Sequence, residues 1–98
     1  MYKATINRSI FLEERDVNIF FNKINNYKEK LLQLNISNNH ITELPPNFLL
    51  KCTQLEHLDI SDNSIKYFPD NFLNENNELE ALQVDYNQLV KLPIRCFH

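Results

Sequence analysis

The chain contains no glycine in 98 residues. That absence removes every glycine-rich phosphate loop, because such loops need a backbone approach that a Cβ would block. Cysteine is scarce. Cys52 and Cys96 are too few to form a disulfide framework. Long apolar runs are lacking as well, and Phe48-Leu49-Leu50 falls far short of a bilayer span. The opening stretch Met1-Tyr2-Lys3-Ala4-Thr5-Ile6-Asn7-Arg8 has neither the apolar centre nor the cleavage site of a signal peptide. We therefore expect an intracellular, cytoplasmic protein with reduced thiols and no membrane partner. Basic runs are missing too. With a net charge of -3 and a pI near 5.5, a nucleic-acid partner is not expected, since a phosphate-gripping protein needs a basic face. What remains is a chain long enough for one modest core.

Internal repetition organises that core. Leu31, Leu55 and Leu79 lie 24 residues apart and open three equivalent segments. The first reads Leu31-x-x-Leu34-x-Ile36-x-x-Asn39-x-Ile41-x-x-Leu44-Pro45. The second carries Leu55, Leu58, Ile60, Asn63, Ile65, Phe68 and Pro69, and the third Leu79, Leu82, Val84, Asn87, Leu89, Leu92 and Pro93. Phe48 and Phe72 share a further column, in which the third segment has Cys96. Seven aligned columns without an insertion are not a chance pattern. Within each segment, Leu34-Asn35-Ile36, Leu58-Asp59-Ile60 and Leu82-Gln83-Val84 alternate apolar and polar residues, as a half-buried strand requires.

The segments resemble leucine-rich repeats of the LxxLxLxxNxLxxLP type, from Leu31 to the end of the chain. The resemblance implies an α/β repeat solenoid: a short horseshoe arc with a parallel sheet on its concave side and loops or short helices on its convex side. No single repeat can bury its apolar face alone, so stacking must join these faces into one core. Asn39, Asn63 and Asn87 stand where each strand ends, and their amides are expected to form a buried structural ladder to turned backbone. Proline after the last frame residue can open a helical turn without losing a needed hydrogen bond.

A step of 24 residues back from Leu31 makes Asn7 the start of a degenerate repeat, with Ile10, Leu12, Val17, Phe20 and Ile24 in frame. Residues 1–30 are thus expected to cap the core, ahead of three repeats at 31–54, 55–78 and 79–98. An amphipathic helix over Asp16–Tyr27 is the alternative for part of this segment. The third repeat is incomplete at His98, and an uncapped end is expected to seek cover by self-association.

The third, fifth, seventh and eighth places of each repeat should project from the concave face. They include Glu13 in the cap, Asn35 and Asn38, then His57, Asp59 and Asp62, then Gln83, Asp85 and Tyr86. No lysine or arginine falls in these places, whereas Lys23, Lys51, Lys66, Lys91 and Arg95 lie late in their repeats. An acidic face suits a basic contact surface on another protein. Tyr86 and His57 add contact area with a polar tip, as binding hot spots do. Phe11 is expected either on this face or under residues 1–6. Catalytic and metal chemistry find no support: the histidines lack partners at ligand spacing, and a shallow face encloses no substrate. Two functions follow, a protein-interaction module and, alternatively, an assembly protein that dimerises through residues 82–97. No cofactor is expected.

Overall fold

In the computed structural model, which describes residues 2–5, 19–20, 22–69 and 72–90, each 24-residue repeat makes one turn of a coil. Four parallel strands lie side by side in chain order: β1 (Tyr2–Thr5), β2 (Leu31–Asn35), β3 (His57–Asp59) and β4 (Ala81–Gln83). The register steps by one repeat, with Leu34 opposite Leu58 and Leu58 opposite Leu82. Backbone pairing continues past the strands. Ile36 N–H donates to Asp59 O at 2.9 Å, and Asp62 N–H donates to Asp85 O at 2.9 Å. Among the described residues, no helix is long and apolar enough to cross a membrane.

Alternation decides which side chains enter the coil. Leu31, Leu34, Ile36, Leu55, Leu58 and Ile60 are fully buried, and Ile41, Leu44 and Ile65 close the same cluster. Each large aliphatic side chain so buried contributes about 1.5–3 kcal/mol relative to exposure. On the convex side, Pro45 and Pro69 open the turns as expected. Their carbonyls accept from the N–H groups of Phe48 at 3.4 Å and Phe72 at 3.2 Å. The chain then proceeds by further bonds to the third residue back, Leu50 to Asn47 and Cys52 to Leu49. The phenylalanine column forms a stacked spine: Phe48 and Phe72 lie 6.0 Å apart between centroids, and Phe68 lies 4.4 Å from Phe72. Pro93 and Cys96 fall outside the described residues.

The first repeat departs from the expected register. The neighbour of β2 is Tyr2–Thr5, with Ala4 opposite Leu34, so this turn of the coil takes thirty residues rather than 24. The strand expected around Ile10 and Leu12 therefore does not hold the place beside β2, because β1 and β3 occupy its two edges. Extra chain length is accommodated between strands, where a longer return costs little. The helical alternative is met in part. Ile19–Phe20 and Asn22–Ile24 are helical, Ile24 is buried, and Phe20 packs partly against the core. A 3-10 turn at Lys28–Lys30 leads into β2. Asn7, Ile10, Phe11, Leu12, Glu13, Arg15 and Val17 lie outside the described residues.

Candidate functional site

The asparagine ladder sets the rim of the concave face. Asn63 Nδ2 donates to the carbonyls of Ile60 at 3.0 Å, Ser61 at 3.0 Å and Ile36 at 3.1 Å. Its Oδ1 accepts from the backbone N–H groups of Asn39 at 3.0 Å and Ile41 at 2.9 Å. Asn87 repeats the pattern one turn on, donating to Val84 and Ile60 carbonyls and accepting from Ile65 N–H. Asn39 donates to Ile36 and Ser37 carbonyls. Asn63 and Asn87 thus each tie one repeat to the one before it, and Asn39 closes the turn of its own repeat, which is the structural role expected of these residues. A further buried amide outside the ladder, Asn76, serves the convex side by donating to Cys52 O at 2.9 Å and Leu49 O at 3.2 Å. Its column holds a cysteine one repeat earlier, so no repeated asparagine marked it.

Immediately before each rung the chain turns through a positive φ, at Asn38 (59°), Asp62 (55°) and Tyr86 (59°). A chain without glycine must make these left-handed turns with other residues, and asparagine and aspartate tolerate them best. Asn38 and Asp62 therefore owe their identity partly to the backbone. Asn35 and Asp59 also have internal work. Asn35 Oδ1 accepts from Ser37 N–H at 3.0 Å and Ser37 Oγ–H at 2.7 Å, and Asp59 Oδ1 accepts from Ser61 in the same way at 3.0 and 2.6 Å. These bonds close the turns after β2 and β3.

Across β2, β3 and β4 lies a shallow concavity of about 220 Å³, lined by Gln33, Asn35, His57, Asp59, Ala81 and Gln83 together with Leu34 and Leu58. The third and fifth places of the three repeats thus share one surface. Asp62, Gln83, Asp85 and Tyr86 are exposed beside it, with Tyr86 79% accessible. No lysine or arginine lines the concavity. Lys66 instead lines a separate hollow on the flank with Thr42, Glu43, Tyr67 and Phe68. Glu13 lies outside the described residues. Tyr67 and Val90 are further exposed apolar side chains that the concave pattern did not mark.

Cys52 lies apart from the expected face, and a second group adjoins that face through His57. Cys52 is buried, and desolvation pushes its thiol up to about 11, with the nearby Lys28 charge opposing that rise. Burial and a raised pKa both suit an apolar filler rather than a nucleophile. Glu56, His57 and Glu80 come together at the start of β3 and β4, with ligand-capable atoms within 4.8 Å of one another. This grouping spans two repeats, so linear spacing did not reveal it.

A family model described as leucine rich repeat matches residues 29–97. Among curated proteins, none matches the chain.

Proposed function

Starting from a chain that belongs to the leucine-rich-repeat family, we propose that its concave face binds another protein through a basic contact surface on that partner. Repeat domains of this family are generally protein-interaction modules and typically non-catalytic. Asn35, Asn38, His57, Asp59, Asp62, Gln83, Asp85 and Tyr86 form the contact surface in this reading. Its curvature and charge fit a cationic partner segment laid across the strands.

The observation that carries the reading is Tyr86. A left-handed backbone costs a residue with a Cβ about 1–2 kcal/mol, and bulky side chains gain no local hydrogen bond in return. The same column relieves that cost with asparagine and aspartate in the two preceding repeats. Burial offers no compensation, since the ring is 79% accessible. A side chain held against both local preference and burial fits a residue kept for contact with a partner. The test compares proteins captured by the wild-type chain with those captured by Tyr86→Asn and Asp62→Lys. Partners lost in both face variants and retained in Lys51→Glu and Lys66→Glu support the reading. Partners lost only in the two lysine variants would move the interface to the flank.

A second reading rests on its own observation. Leu82, Val84 and Leu89 are only partly buried, whereas their counterparts Leu58, Ile60 and Ile65 are at most 1% exposed. Among the described residues β4 is an edge strand. Both features fit self-association of two copies, with the contact assigned to residues 82–97 in this reading, the commonest closed assembly being a two-fold dimer.

A further inference from the structure

We propose that Glu56, His57 and Glu80 form a binding site for one zinc-class divalent cation at the N-terminal rim of the concave sheet. The three side chains come from the same edge of two adjacent repeats. Glu56 and Glu80 share the second place of their repeats, and Glu80 N–H donates to Glu56 O at 2.8 Å, so the two residues sit on neighbouring rungs. His57 follows Glu56 directly and begins β3. One ligand atom from each lies within 4.8 Å of the other two.

Charge and chemistry both point to a cation. Two carboxylates on adjacent parallel rungs repel, and like charges placed opposite each other destabilise a sheet. Among the described residues, no lysine or arginine is hydrogen-bonded or ion-paired to either carboxylate. Glu56 and His57 are half-buried and Glu80 is exposed, so the site is open to an ion from solvent. A divalent ion neutralises both carboxylates, and the imidazole supplies a third donor without adding charge. One nitrogen and two carboxylate oxygens suit zinc and its first-row neighbours rather than magnesium or calcium, which prefer all-oxygen shells. In a tetrahedral zinc site with bonds of about 2.0–2.1 Å, ligand atoms stand about 3.4 Å apart. Binding therefore requires the flexible glutamate side chains to draw in from a spread of up to 4.8 Å, with water or a donor from a partner in the fourth position.

This proposal does not depend on a protein partner, so its test uses the whole chain alone. Calorimetric titration with zinc chloride should show one ion bound per chain, and zinc should raise the melting temperature while equal magnesium does not. His57→Ala and the near-isosteric Glu80→Gln should each weaken zinc binding at least about tenfold, with circular dichroism showing that both remain folded. Glu43→Gln, outside the cluster, should leave the titration unchanged. Absence of zinc binding in the wild-type chain overturns the proposal. So does binding that both cluster variants retain at full strength, which would assign the ion to other donors.

Discussion

Replacing Asn63 by alanine isolates what one rung of the ladder contributes. The three carbonyls that receive its amide each keep another donor. Ile36 O retains Asn39 Nδ2, Ile60 O retains Asn87 Nδ2, and Ser61 O retains the N–H of Asn38. The loss therefore falls on the N–H groups of Asn39 and Ile41, whose acceptor is removed in a buried setting. A buried donor left without a partner costs about 1–3 kcal/mol, and water entering the vacated space recovers part of that sum. We expect a net loss of about 3 kcal/mol, a large share of the stability of a domain this size. Such a loss lowers the midpoint of thermal unfolding by about 12–24 °C. Asn87→Ala provides the internal comparison, because Asn87 is only half-buried and should cost less. Chemical denaturation of both variants with unchanged m-values would measure the two losses. Equal losses, or a smaller one at Asn63, would refute the account of the ladder as buried backbone satisfaction.

Tyr86→Asn should raise stability by about 0.5–1 kcal/mol, since asparagine suits the left-handed turn better, while abolishing partner capture; a destabilised variant would deny the strain argument. Asp59→Asn keeps the Oδ1 acceptor for Ser61, as Asn35 does one repeat earlier, so it should leave the melting temperature nearly unchanged. Its binding rate and the salt dependence of that rate should fall, whereas Asp59→Lys should lose stability as well because it breaks the turn. The raised Cys52 pKa means that the unfolded thiol ionises first, so its contribution to stability is complete below pH 9 and lost as pH rises towards about 11. The difference in stability between wild type and Cys52→Ala, followed across that range, should shrink, and a constant difference would contradict the burial of the thiol. Phe97→Asp should weaken any concentration-dependent dimer seen by sedimentation, and a strictly monomeric wild type at high concentration would remove the self-association reading.

The sequence was most legible where the repeat holds without insertion. From Leu31 onwards a fixed step of 24 predicts strand register, the buried ladder and the proline-opened turns, because stacking places equivalent residues side by side. The same step failed before Leu31. Ile10, Leu12 and Val17 satisfied the apolar frame, yet hydrophobicity alone does not specify which segment pairs with β2, and the strand there is the less apolar Tyr2–Thr5. Polar residues were legible in place but not in cause. Asn38 and Asp62 read as contact residues of the concave face, although their column is set by a left-handed turn in a chain without glycine. Asn35 and Asp59 read as contact residues, although one oxygen of each already holds a serine. The grouping of Glu56, His57 and Glu80 has no signature in ligand spacing along the chain. In a solenoid a residue's lateral neighbours lie one repeat away, so Glu56 and Glu80 are close by the same rule that pairs Leu58 with Leu82. Tyr86 stands out only when both directions are read together, as the aromatic member of a column otherwise filled by asparagine and aspartate.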